Sequence, residues 1–191
     1  MNRYGIKALV AGALAVVLAG CMSPEGGTVA AKQADAAKMR RDTLAELYRD
    51  APFAKTQIHK AVGYAVFSNV GVNLIFLSAG NGWGIARDNK TGKDVYMKMV
   101  SAGLGLGLGV KDFRGVFVFT TRDAFETFVN HGWDASGQAD AAAKSGKKGG
   151  AYAGAIDVGP GIKLYQLTEH GLALQATIQG TKYWKDDDLN S

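Results

Sequence analysis

The sequence predicts an α+β fold: N-terminal helices packed on a curved, mostly antiparallel β-sheet of sandwich- or barrel-like form. Three observations predict it. Apolar residues recur at helical spacing before residue 62, with Leu44, Leu47, Tyr48 and Ala51 at i, i+3, i+4 and i+7. From Tyr64 onward the pattern changes to alternation of period two, rich in β-branched and aromatic residues. Glycine reaches 26 of 191 residues, roughly twice average usage, and much of it is regularly spaced, as tightly packed or sharply curved β-structure requires.

The first helix is expected over residues 34–49, with Lys38, Arg40 and Arg41 crowding its first half. Pro52 suits the first turn of a second helix, where its missing N–H costs nothing, running to about Ala61. Strands are expected at 64–67 and 72–77, broken near Ser68 and Asn69. A turn is expected at Gly80-Asn81-Gly82, then a strand at 83–87 and a hairpin loop at 88–92. Residues 95–110 read as one long strand or two joined at a bend, and 113–120 as another. Asp123 and Glu126 have the spacing of a capping box, opening a short helix with Phe125, Phe128 and Val129 toward the core. Residues 133–150 read as an exposed segment, and 161–168 and 172–180 as final strands around a turn at 169–171. The aspartates 186–188 read as a solvated tail.

Within 95–110, Gly103, Gly105, Gly107 and Gly109 alternate with Leu104, Leu106, Leu108 and Val110. On a strand this separates glycines from large apolar side chains. A phosphate-binding loop would need a non-repeating glycine turn before a helix. The uniform spacing of two, with no helix pattern after it, points instead to a curved or closely approached strand.

The first twenty residues read as an export signal. Arg3 and Lys7 precede an apolar run over 8–18, shorter than the roughly 20 residues of a membrane span and of signal-peptide length. The run ends in Leu18-Ala19-Gly20-Cys21, which resembles the lipobox of bacterial lipoproteins. That resemblance implies cleavage after Gly20, a diacylglyceryl group on the Cys21 sulfur and acylation (palmitate-type) of the new amine. Several acyl chains hold a protein stably where one holds it marginally. Cys21 is the one cysteine in the chain, so no intrachain disulfide exists and the fold relies on its core. Met22 rather than aspartate follows it, which by the same resemblance favours the periplasmic face of the outer membrane in a Gram-negative cell. The expected organisation is a signal at 1–20, a flexible lipidated tether at 21–33 and a single domain at 34–191.

Removing the signal takes two of the 22 basic residues, so the formal charge of the rest is 20 − 17 = +3. That mild excess gives no argument for a nucleic-acid partner. His59, His131 and His170 are isolated, with no metal-ligand spacing and no Gly-x-Ser-x-Gly elbow elsewhere. The reading is therefore of a non-enzymatic protein without a cofactor or metal.

The run Lys60-Ala61-Val62-Gly63-Tyr64-Ala65-Val66-Phe67 resembles the opening of the SYLF domain family. Similarity continues through Gly80-Asn81-Gly82-Trp83-Gly84, the glycine ladder, Gly115-Val116-Phe117-Val118-Phe119, Ala124-Phe125 and Gly171-Leu172. This resemblance, spanning about residues 35 to 185, implies a module that binds phospholipid, with phosphoinositide-type headgroups favoured in eukaryotic members. It also implies that a basic N-terminal helix assists binding. Candidate headgroup contacts are Lys38, Arg40 and Arg41 on the helix, and Lys144, Lys147 and Lys148 in the later loop. The alternative reading is a structural or protein-interaction module of the cell envelope, with Trp83, Trp133 and Trp184 as candidate contacts for a protein partner.

Overall fold

The computed structural model describes residues 23–135, 154–168, 171–173 and 180–191. Helix α1 spans Val29–Asp50 and helix α2 spans Pro52–Lys60. Strands β1 (Gly63–Asp88) and β2 (Asp94–Phe119) form one hairpin of two 26-residue arms. Helix α3 (Arg122–His131) follows, then β3 (Trp133–Asp134), β4 (Ile156–Gly159), β5 (Ile162–Thr168), β6 (Gly171–Ala173) and β7 (Thr181–Lys185). The strands make an antiparallel sheet in the order β3-β7-β2-β5-β4, with β1 also on β2 and β6 on β5. The α+β class holds, and the sheet curls into a half-barrel.

Alternation along the strands sorts the core into two layers. Ala65, Phe67, Phe117, Phe119, Ile162 and Leu164 face α3, where Phe125, Phe128 and Val129 pack as expected. Tyr64, Val66, Val116, Val118, Tyr165 and Leu167 face Met39 and Leu47 of α1 and Ala54 and Ile58 of α2. The α3 side is aromatic, with Phe67–Tyr183 ring centroids 4.8 Å apart and Phe119–Phe128 4.9 Å apart. Offset and edge contacts of this kind add to the gain from burial. Burial also pushes the Tyr183 phenol far above its ordinary pKa.

Several boundaries depart from the sequence reading. Helix α1 begins at Val29, where the Thr28 hydroxyl accepts from the Ala31 amide at 3.2 Å, so the tether expected over 21–33 ends before that residue. No break falls at Ser68 and Asn69, which pair with Arg114 and Phe113 of β2, and no turn at Gly80–Gly82, which pairs with 99–101. The segments expected at 95–110 and 113–120 are one strand. At the glycine ladder, Ile75 stands opposite Gly107 and Leu77 opposite Leu104. Gly105 and Leu106 thus oppose the single residue Phe76, a bulge that bends the hairpin and interrupts strict alternation. Helix α3 is capped by Thr121, whose hydroxyl accepts from the Ala124 amide, while Asp123 sits in its first turn. Trp133 is buried in β3 rather than exposed. Gly171 begins β6, and Gly180, at φ 71°, turns the chain into β7. The rest of the segment expected at 133–150, and residues 174–179, lie outside the described residues.

The bend lets the two arms of β1 approach each other through glycines. A side chain at Gly63 would collide with the Arg87 carbonyl, at Gly82 with the Ser68 carbonyl, and at Gly84 with the Val66 carbonyl and the Phe67 ring. Asn69, beside Gly80 and Gly82 in this seam, is 1 % exposed, and neither end of its amide has a partner.

The hairpin loop is tied down from both sides. The Asn89 amide donates to the Ile58 and Ala61 carbonyls at 2.7 and 2.9 Å, satisfying the end of α2. Asp88 accepts from the Lys90 and Thr91 amides and pairs with Arg122 of α3 at 2.7 Å. The Arg122 hydrogen bond, first, and the two amides lower the Asp88 pKa from 3.8 to about 2. A carboxyl whose pKa is depressed on folding stabilises the fold above its unfolded pKa, and loses that contribution as pH falls through the folded value. Arg122→Ala is therefore expected to lower the melting temperature at pH 5–7, with the gap to wild type closing as pH falls from about 4 to about 2. A gap that stays constant across that range would contradict this role for Asp88.

Candidate functional site

Helix α1 lies over one face of the sheet, and its 3.6-residue period divides its basic residues between two environments. Ala36, Met39, Arg40, Thr43 and Leu47 form the buried stripe. Lys38 and Arg41 fall outside that stripe and are exposed.

Arg40 is therefore turned inward, at 8 % exposure. Its Nη1 donates to Asp94 Oδ1 at 2.7 Å, and Arg87 adds a two-pronged contact, Nε to Oδ1 and Nη2 to Oδ2, both at 2.7 Å. Asp94 and Arg87 are cross-strand partners at the closed end of the hairpin, so this carboxylate pins α1 to it. Tyr64 and Tyr96 lie near enough to feel both guanidiniums, and burial raises the pKa of each phenol. The expectation that Arg40 meets a headgroup is corrected by this placement: its charge is spent inside the fold, because it occupies the core-facing side of α1.

The outward face keeps Lys38 and Arg41, and at its edge the half-buried Arg114 comes up from β2 beneath the helix. Lys38 Nζ lies 2.6 Å from Asp42 Oδ2, one turn along the helix. Arg114 Nη1 reaches the Thr43 hydroxyl at 3.5 Å. The Lys38 hydrogen bond, first, and the charges of Lys38, Arg41 and Arg114 hold the Asp42 carboxyl below its ordinary pKa. Three cations thus surround one carboxylate, a local excess of 3 − 1 = +2. Such a surface attracts anionic groups without fixing the shape of one. Arg114 escaped the sequence reading. The signal for it is parity, since Arg114 keeps step with Val116 and Val118 on the α1 side of the sheet.

Of the other candidates, Cys21, Lys144, Lys147 and Lys148 lie outside the described residues, as does His170. His59 and His131 are exposed in the last turns of α2 and α3. Trp83 is half-buried against the α1-side core, and Trp184 is 37 % exposed. The tail expected to be solvated is partly docked. Asp186 is 2 % exposed and pairs with Lys98 at 3.0 Å, and Leu189 is buried, its carbonyl accepting from Gln33 of α1. Among the described residues, no helix is long and apolar enough to cross a membrane.

Fold and surface together define an α+β protein with a curled antiparallel sheet under a helix of basic outer face. No protein-family profile matches the chain. It is similar to Beta cell expansion factor A of Aeromonas veronii, with 38% identity over 165 residues. That similarity takes in 83% of this chain and 60% of the relative, so the chain spans less than two thirds of the relative's length.

Proposed function

We propose that this chain is a membrane-anchored lipoprotein of the cell envelope whose SYLF-like domain binds phospholipid without catalysis, through the outer face of α1. The observation that carries this reading is the grouping of the exposed Lys38 and Arg41 and the half-buried Arg114 around the exposed Asp42. Each Lys or Arg near an anionic bilayer contributes about 1 kcal/mol, so the cluster favours anionic headgroups without selecting one. The resemblance to SYLF domains, in which a basic N-terminal helix assists lipid binding, supports the same surface. The lipobox-like end of the signal supports the anchor at Cys21.

The surface is tested with the unacylated Cys21→Ser protein and vesicles of phosphatidylcholine mixed with phosphatidylglycerol. Arg41→Ala with Arg114→Ala removes two cations, about 2 kcal/mol, and is expected to weaken binding roughly 30-fold at low salt. The same double variant is expected to keep its fold, since Arg41 is exposed and Arg114 gives up only a 3.5 Å contact with the Thr43 hydroxyl. Unchanged binding by this variant would remove the α1 surface from the account.

A further inference from the structure

On the α1 side of the sheet, beyond the part the helices cover, a second surface is apolar rather than basic. Met97, Met99 and Tyr183 face α3, so by alternation Lys98, Val100 and Trp184 face the α1 side. Lys98 stands between two tryptophans, opposite Trp83 on β1 and opposite Trp184 on β7. Val100 and Trp184 are each 37 % exposed. The Lys98 ammonium between the rings is held by Asp186 at 3.0 Å and by the exposed Asp188 at 3.4 Å, an ion cluster at the rim of the patch.

This surface lies at the end of α1 from which Cys21 departs. Leu189, five residues beyond Trp184, accepts from Gln33 in the second turn of α1. The chain before α1 folds back on the helix, with the Glu25 amide donating to Asp35 at 2.9 Å and Pro24 buried. Cys21 is two residues before Ser23, and two residues of chain reach at most about 7 Å whatever their conformation. An acyl group on Cys21 would therefore keep the chain leading into α1 close to the bilayer.

We infer that Trp184 and Val100 enter the interfacial layer of the membrane in which Cys21 is anchored. This rests on the reading of Cys21 as an acylated residue. Tryptophan suits that depth because its ring is apolar while its N–H can stay hydrated. Lys182, which keeps step with Trp184 and pairs with Asp134 at 3.2 Å, carries a stem long enough to leave its charge in the headgroup layer. Both surfaces of the α1 side then address one membrane, the basic helix face through headgroups and the tryptophan patch through the interface.

The test uses the full chain purified from membranes and reconstituted in phosphatidylcholine vesicles brominated near the ester end of the acyl chain. Wild type is expected to show a blue-shifted, lipid-quenched tryptophan emission. Trp184→Phe is expected to lose about half of that quenching or more, because Trp133 is buried and Trp83 half-buried. Val100→Asp, whose melting temperature reports the fold independently, is expected to reduce the quenching of Trp184 as well. Quenching that is the same with and without Trp184 would overturn the contact. Incorporation of a clickable palmitate, with Cys21→Ser as control, is measured in parallel. Incorporation without Trp184 quenching overturns this inference alone, whereas no incorporation overturns the anchor and the inference with it.

Discussion

Replacing Gly82 by alanine is expected to cost about 3 kcal/mol and to lower the melting temperature by roughly 6–12 °C, with Gly84→Ala close behind. The reason is that the two arms of β1 touch backbone to backbone. A methyl group at Gly82 would overlap the Ser68 carbonyl oxygen, and one at Gly84 the Val66 carbonyl and the Phe67 ring. Neither obstacle is the free end of a flexible side chain, so the hairpin itself must open. Gly27 supplies the control. Nothing lies within 4 Å of an added Cβ there, and Gly27→Ala is expected to change stability by no more than about 0.5 kcal/mol. A melting curve for Gly82→Ala that overlays wild type would mean that the curl of the sheet does not depend on this seam.

Asp94→Ala is expected to be as damaging for a different reason. It leaves the Arg40 guanidinium, 8 % exposed, without its carboxylate. Breaking a buried pair on one side typically costs about 3–5 kcal/mol, because the remaining charge is stranded. Replacing both partners, Arg40→Met with Asp94→Leu, is expected to recover most of the loss, since well-packed apolar residues often substitute for such a pair at little cost. Arg87, with 35 % of its side chain exposed, can return to solvent in both cases. Urea unfolding measures the difference as a shift in midpoint at unchanged slope. A double variant no more stable than Asp94→Ala would contradict the view that the damage comes from the stranded Arg40 charge.

Periodicity carried much of this fold, and its failures have physical causes. The helix stripe and Pro52 located α1 and α2, the alternation after Tyr64 located the β-segments that prove to be parts of β1 and β2, and Phe125, Phe128 and Val129 faced the core as expected. Residues 29–33 read as tether because they lack an apolar stripe. Their alanines favour helix on their own account, and the Thr28 cap starts it. Ser68-Asn69 and Gly80-Asn81-Gly82 read as breaks because local composition favours turns there. Continuous pairing with β2 overrides it, as tertiary context commonly does in strands. The glycines of that segment serve the closure of β1 on itself, a contact between residues far apart in sequence that no local pattern records.

The site was legible in part. Lys38, Arg40 and Arg41 look equivalent in sequence, yet Ala36, Met39, Arg40, Thr43 and Leu47 keep step at i, i+3, i+4, i+7 and i+11. Reading Arg40 as a member of that stripe would have separated it from its neighbours and called for a buried acid, which is Asp94. Arg114 joins Lys38 and Arg41 only because β2 brings it beneath α1. The docking of Asp186 on Lys98 likewise depends on β7 lying beside β2.

The central claim is that the α1 side of this protein meets an anionic membrane surface. Co-sedimentation of the unacylated Cys21→Ser protein with vesicles of pure phosphatidylcholine, and of phosphatidylcholine mixed with phosphatidylglycerol, tests it most directly. The account predicts pelleting that rises with the anionic fraction, falls as salt is raised, and is weakened roughly 30-fold at low salt in the Arg41→Ala, Arg114→Ala double variant. Equal pelleting with both vesicle types, or none with either, would contradict it.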